Sequence, residues 1–198
     1  MDSIEAQTRK PDEVVVVCSS TKDEDVPTYS YSFPLRILTR PDRHNAAENR
    51  NYAIRHMTSE MVSFFDADDV MHPQRLEAIE GCGLQHIILH SYLDPNEPFE
   101  MYSRIYRIRN TLRRYKTGCA CLGMDWAARI HHAHATVHRS LLSETTFPED
   151  TSLERREDAV FCGNVLSLSP DIQSTYIVNP MSRYHETGQT IDEEYLRK

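Results

Sequence analysis

Glycine is scarce: the chain of 198 residues has 6, and none precedes Gly81. The amino-terminal region therefore has no glycine-rich, lysine-bearing loop through which backbone amides cradle phosphates, which argues against a sugar nucleotidyltransferase. Long hydrophobic runs are missing too. Nothing approaches the roughly 18 apolar residues that span a bilayer, and MDSIEAQTRK lacks the apolar core of a signal peptide. A cytoplasmic location is the expectation. Basic residues number 22 against 30 acidic, a formal charge of -8 with a pI near 5.7, so a nucleic-acid backbone would meet a repulsive average surface. The five cysteines are an odd count without a disulfide-scaffold spacing, which favours reduced thiols. Cys119 and Cys121 have no second cysteine pair to complete a zinc site. Repeats and low-complexity stretches are absent.

What is present supports one domain, since 39% hydrophobic content over this length fills a single core. Glu13 to Ser19 (EVVVVCS) is a β-branched run without polar alternation, which predicts a strand covered on both faces. Leu35 to Thr39 and Met61 to Phe65 read as further strands. Asn45 to Met57 reads as a helix, with Asn45 as N-cap and Glu48 placed for a capping box. Pro73 to Glu80 opens a second helix. Strand, strand, helix, strand, helix predicts an α/β sheet with parallel pairing. Beyond the Gly81 to Gly83 break, Gln85 to Tyr92 reads as a strand and Arg155 to Leu166 as a helix. Tyr102 to Leu112 fits either type, and Thr136 to Leu142 approaches the core.

The stretch SFFDADDVMHP, residues 63–73, sets Asp66, Asp68 and Asp69 directly behind a buried strand. Ligands of open α/β sheets bind at such carboxyl ends. In extended backbone Asp66 and Asp68 project to one side and converge on one hard cation, magnesium or manganese before zinc. The competing reading is an Asp-rich turn capping the next helix.

Residue order decides between them. SIEAQTRKPDEVVVV, the pair Arg50-Asn51, the turn Thr58-Ser59-Glu60 and the motif Asp66-Ala67-Asp68-Asp69 follow one another with the spacing of the nucleotide-sugar half of a family 2 glycosyltransferase, which this chain resembles. Further on, HATVHRSLL (134–142) is similar to the family's strand near the acceptor and diphosphate. Arg156-Glu157-Asp158 resembles its catalytic "xED" motif, and Tyr184-His185-Glu186 its carboxyl-terminal histidine motif. The resemblance implies a GT-A fold: a Rossmann-like, mixed and mainly parallel sheet flanked by helices, with a nucleotide-sugar half over 1–80 and an acceptor and catalytic half over 81–198. It further implies inverting sugar transfer from a nucleotide sugar, a UDP-sugar before others, to a hydroxyl acceptor on a glycan, protein or lipid. Asp68 and Asp66 with His185 would hold Mn2+ or Mg2+. Ser19, Arg50, Asn51, Asp66 and Asp68 would meet the donor. Asp158 would act as the base beside Glu157, and His132 and His134 would line the acceptor side.

Two departures stand beside the resemblance. The family's first strand and most of its first helix have no counterpart, so the edge of Val14 to Val17 either stays open or is covered by Tyr29 to Phe33. The family's DDGSTD loop is replaced by Cys18-Ser19-Ser20-Thr21-Lys22-Asp23, so carboxylates that the family often uses for base or ribose recognition are replaced; the missing first strand leaves open a glycosyltransferase-like scaffold that binds no donor, or a part of a larger enzyme. Two clusters complete the reading. On a strand, His132, His134 and His138 would share one face, as an acceptor lining, a zinc site or surface histidines. Residues 102–116 (YSRIYRIRNTLRRYK) form a basic amphipathic segment suited to peripheral contact with an anionic membrane, to a phosphorylated acceptor, or to a solvated helix face.

Overall fold

In the computed structural model, residues 1–94, 96–109, 132–150, 152, 157–168 and 173–183 are described. After a short helix α1 (Asp2–Glu5), the valine run forms β1 (Val14–Ser19), which pairs in parallel with β2 (Leu35–Arg40). Helix α2 (Ala46–His56) starts at Asn45, whose side chain accepts from the Glu48 amide at 2.8 Å while the Glu48 carboxylate accepts from the Asn45 amide at 2.8 Å. This capping box satisfies two amides that would otherwise lack partners, a cap worth about 1 kcal/mol. There follow β3 (Met61–Ser63), β4 (Val70–Met71), α3 (Arg75–Glu80), β5 (Ile87–Leu93), β6 (Arg107–Arg109), β7 (Ala135–His138), α4 (Arg139–Leu142), α5 (Glu157–Ser167) and β8 (Ser174–Arg183).

Strands β3 to β8 build one six-stranded sheet in the order β3-β7-β5-β8-β4, with β6 also on β8. Alternation along these strands sorts the core into two layers. Val62, Ile87, Leu89, Ala135, Val137 and Tyr176 meet Ala47 of α2 and Phe161, Cys162 and Val165 of α5 on one face. The intervening Ile88, Ile177 and Met181 meet Ala78 and Ile79 of α3 on the other. The result is a mixed α/β sheet flanked by helices on both sides.

Several expectations need correction. The sheet is mixed but not mainly parallel: among the described residues β1–β2 and β5–β8 are parallel, while β3–β7, β4–β8, β5–β7 and β6–β8 are antiparallel. The cause is β7 inserted between β3 and β5, and β8, a strand of 10 residues that receives three partners. The β1 run is not covered on both faces, since every residue in it is partly exposed. α2 packs on it, and Val14 joins a cluster of Ile4, Phe33 and Met71 with Tyr31, Leu35, Phe65 and Leu76 against it. Phe33, with Tyr31 packed against it, thus shares one cluster with Val14 at the start of β1. Finally, His132–His134 is a 3-10 turn and the strand begins only at Ala135, so the shared histidine face does not form.

Candidate active site

The aspartate motif leaves β3 and folds into a tight turn, in which the Asp69 amide donates to the Asp66 carbonyl at 3.3 Å. It is not extended, so the argument that Asp66 and Asp68 share a strand face does not hold. The turn instead sends three like charges into three environments: Asp66 is half-buried, Asp68 is exposed and Asp69 is buried. Separation of this kind relieves the repulsion that adjacent carboxylates would otherwise suffer.

Arg50 gathers the site. From the middle of α2 its Nη2 donates to Asp66 Oδ1 at 3.2 Å and its Nη1 to Glu157 Oε1 at 2.8 Å, with all three side chains no more than 25% exposed. One guanidinium thereby joins the aspartate turn to the first turn of α5, 107 residues from Arg50 in sequence. Its fork geometry and permanent charge suit this double contact. Beneath it, Phe64, Phe147 and Phe161 form an aromatic triad, with Phe147 and Phe161 stacked at 3.9 Å and Phe64 edge-on to both at 5.2 and 5.5 Å. The Arg50 guanidinium lies 5.3 Å over the Phe147 ring. Asp158 sits half-buried in the same first turn as Glu157.

Asn51, the other half of the pair, points into the core. Its side chain exchanges hydrogen bonds of 2.8 and 2.9 Å with the Phe147 carbonyl and amide, and donates to Glu149 at 2.9 Å. It fixes the loop carrying Phe147. Ser19 ends β1 and accepts from the His44 amide at 2.8 Å, and Ser20 beside it adopts a left-handed backbone with φ 54, unusual for a non-glycine residue. Glu13, at the opposite end of β1, accepts from the amides of Thr58 and Ser59 at 2.6 and 2.8 Å and from both hydroxyls. Burial pushes its carboxyl up, but these bonds outweigh that and hold its pKa at about 2. The turn before β3 is therefore locked to the start of β1.

Behind the motif lies a group that sequence reasoning missed. Arg75, at the start of α3, is fully buried, and its Nη2 donates to Ser63 Oγ, the Phe64 carbonyl and the Ala133 carbonyl at 3.0, 3.0 and 2.8 Å. Burial depresses its pKa to about 9, against the support of the nearby Asp69 and Asp66 charges. It ties the end of β3 to the 3-10 turn that carries His134. The only hint in sequence was an arginine two residues after Pro73, which a helix start explains equally well. His134 is buried and stacked on Tyr92 at 4.5 Å, with His90 at 5.4 Å. Burial, helped by the Arg75 charge, holds His90 neutral far below the ordinary histidine pKa. The side chain of His132, the whole of His185, and Cys119 and Cys121 lie outside the described residues.

Among the described residues no three His, Cys, Asp or Glu side chains converge as a metal cage. The donor set nevertheless fits a hard divalent ion: an exposed Asp68 and a half-buried Asp66 offer only oxygen, and magnesium or manganese draws its other ligands from phosphate and water. A surface hollow of about 480 Å³ between the end of α2 and α4, lined by Ile54, Arg139 and Leu142 among others, includes none of these residues.

Residues 1–81 match the family Glycosyl transferase family 2. A curated relative, "Uncharacterized glycosyltransferase" of Haemophilus influenzae, is 32% identical over 79 residues, covering 40% of this chain and 27% of its own length. Among solved structures, Staphylococcus aureus TarS 1-349 in complex with UDP-GlcNAc aligns with a TM-score of 0.65 at 20% identity, over 92% of this chain and 52% of that one. The mannosyltransferase PcManGT from Pyrobaculum calidifontis in complex with GDP-Man and Mn2+ aligns with a TM-score of 0.58 at 21% identity, over 94% and 52%. The chain thus spans about a quarter of the curated relative and about half of these structures. Residues 1–81 are therefore similar to glycosyltransferase family 2, and the fold of the chain is the GT-A fold.

Proposed function

We propose that the chain is the catalytic domain of a metal-dependent, inverting glycosyltransferase that moves a sugar from a nucleoside-diphosphate sugar to a hydroxyl acceptor. The observation that carries this reading is the Arg50 bridge, which brings Asp66 and Glu157 to one guanidinium. This supports a single site that includes the donor-side Asp66 and the first turn of α5, where the candidate base Asp158 lies. The neighbours' complexes with UDP-GlcNAc and with GDP-Man and Mn2+ support a nucleotide-sugar donor and a divalent ion. The nucleotide half is 1–80 and the acceptor half 81–198, within one domain.

In this mechanism Asp68 and Asp66 would hold Mn2+ or Mg2+, with His185 as a further ligand. When bound, the ion would supply Lewis-acid neutralisation of charge growing on the diphosphate. Arg50 keeps Asp66 oriented and fixes the first turn of α5. Asp158, one residue past the anchored Glu157, accepts the proton of the acceptor hydroxyl as its oxygen attacks the anomeric carbon from the face opposite the leaving diphosphate. Ser19, Ser20 and Arg50 border the donor, Asn51 positions the Phe147 loop, and His134 with His132 shapes the acceptor side.

The test is separation of binding from turnover. Asp158→Asn should lower transfer by 10²-fold or more while leaving nucleotide-sugar affinity within about twofold, because general-base catalysis belongs to the transition state. Retention of a tenth of the wild-type rate would assign the base elsewhere. A chain that binds no nucleotide sugar would support the scaffold reading.

A further inference from the structure

Strands β1 and β2 form one sheet, β3 is the outer strand of the other, and among the described residues no strand joins the two. β1 and β3 nevertheless lie side by side. A side chain bridges their starts, since the Glu13 carboxylate accepts from the Thr58 and Ser59 amides. Towards their carboxyl ends both are tied to α2: Ser19 accepts from the amide of His44, just before the helix, and Asp66 accepts from Arg50 within it. The two strands therefore run in the same direction. Helix α2 packs on β1 and, through Ala47, on the core that contains Val62 of β3, so one helix roofs both. Yet β1 and β3 are farther apart than neighbouring strands, which lie about 4.8 Å from each other.

Register identifies the backbone groups that face this gap. In the β3–β7 ladder the Phe64 amide donates to the Ala135 carbonyl and the Arg139 amide to the Glu60 carbonyl, with Val62 opposite Val137. Alternate residues of an extended strand present their N–H and C=O to opposite edges. Val62 and Phe64 therefore face β7, and the backbone groups of Met61 and Ser63 face away from it, towards β1. In the other sheet the Val14 amide donates to the Pro34 carbonyl, with Val14 opposite Leu35. Val14, Val16 and Cys18 thus face β2, and the backbone groups of Val15 and Val17 face β3. No described segment hydrogen-bonds to the backbone of these four residues across the gap. The flanks are apolar on both faces, with Ala47 and Ile54 of α2 on one and the cluster of Val14, Phe65 and Leu76 on the other.

We propose that β1 and β3 take between them one extended segment of another polypeptide, apolar on both faces, as an inserted β-strand. Such a strand gives Val15, Val17, Met61 and Ser63 their ladder bonds and joins the two sheets into one. Because α2 covers one of its faces and the Phe65 cluster the other, its residues are apolar without alternation, β-branched ones above all. A second copy of this chain does not supply it. Each described strand of the chain already has a partner on one edge, and a strand between β1 and β3 uses both. The gap ends between Ser19 and Asp66, beside the site assigned to sugar transfer, but the inference needs only the two edges and is tested without nucleotide sugar.

The probe is a fluorescein-labelled peptide with the core Val-Ile-Val-Ile-Val-Val between lysine pairs, titrated with the full chain and read by anisotropy. Two further peptides carry N-methyl groups on the odd or on the even core residues. In a strand held on both edges, odd and even amides serve opposite neighbours, so each methylated peptide should bind at least about tenfold more weakly. Addition to a single open edge, such as that of β2, would leave one of them unaffected. Val17→Pro removes an N–H that faces the gap while sparing the ladder to β2, and should also lower affinity about tenfold; circular dichroism checks that it is folded. Residue-resolved hydrogen exchange of the wild type should show the Val15, Val17, Met61 and Ser63 amides slowed at least about tenfold by the unmethylated peptide, with Val14, Val16 and Val62 protected already without it. No saturable binding, full binding by either methylated peptide, unchanged exchange at those four amides, or their protection by self-association of the chain alone would overturn the proposal. The wild-type measurements decide even where Val17→Pro fails to fold.

Discussion

Replacing Glu13 with glutamine tests whether the start of β1 is locked to the turn before β3 as described. Glu13 accepts four hydrogen bonds from Thr58 and Ser59, and Arg36 donates to it at 3.1 Å. Its pKa of about 2, against an ordinary 4.5, makes the charged form worth about 3 kcal/mol to the fold at neutral pH. The folded-state pKa is depressed, so this contribution is complete above the unfolded pKa and is lost as pH falls from about 4.5 towards 2. At pH 3.5 it should have declined to about 2 kcal/mol. Glu13→Gln mimics the protonated acid. Urea denaturation should therefore show it about 3 kcal/mol less stable at pH 7, with the gap narrowing by about 1.4 kcal/mol at pH 3.5. A loss below about 1 kcal/mol at pH 7, or one that does not change with pH, would refute the view that this carboxylate locks β1 to the turn before β3.

Three further outcomes are expected. Arg75→Met strands the Phe64 and Ala133 carbonyls and leaves the nearby Asp69 and Asp66 charges without their buried counter-charge, so denaturation should show a loss of about 3–5 kcal/mol; a loss below about 1 kcal/mol would mean that the guanidinium does not tie β3 to the turn carrying His134. Asn51→Ala strands the Phe147 amide and carbonyl in the core and should cost about 2 kcal/mol, read by thermal denaturation. Arg50→Gln should weaken nucleotide-sugar binding and accelerate hydrogen exchange in the first turn of α5, whereas unchanged exchange there would mean that Glu157 is held by other contacts.

The amino-terminal architecture was legible because its signals are local. The valine run, the Asn45–Glu48 capping box and the break at Gly81 each specify an element within a few residues, and α2 and β5 appear close to where these signals put them. What was missed depends on distant partners. β8 carries Pro180 and several polar residues, a pattern that reads as an element only once β4, β5 and β6 pair with it. The turn at Asp66 replaced the expected extended backbone because four successive polar or small residues fold back on themselves once β3 ends. Of the site, the aspartates, Arg50, Glu157 and Asp158 were visible through their order in the chain. Their joining through one guanidinium was not, since it spans 107 residues. Arg75 stayed hidden because a buried arginine and a surface arginine on a helix look alike in sequence.

The central claim is that Asp66 and Asp68 hold a nucleotide sugar through a divalent ion, and ligand-induced stabilisation measures it most directly. The wild-type chain and Asp68→Asn should be melted with UDP- and GDP-sugars, with and without Mn2+. A ligand present at about 100 times its dissociation constant should add about 2.7 kcal/mol to the wild type, or roughly 5–10 °C for a chain of this size. The account predicts that shift for at least one nucleotide sugar, only with Mn2+, and little of it in Asp68→Asn. A shift of equal size without metal, the same shift in Asp68→Asn, or no shift with any nucleotide sugar would contradict it.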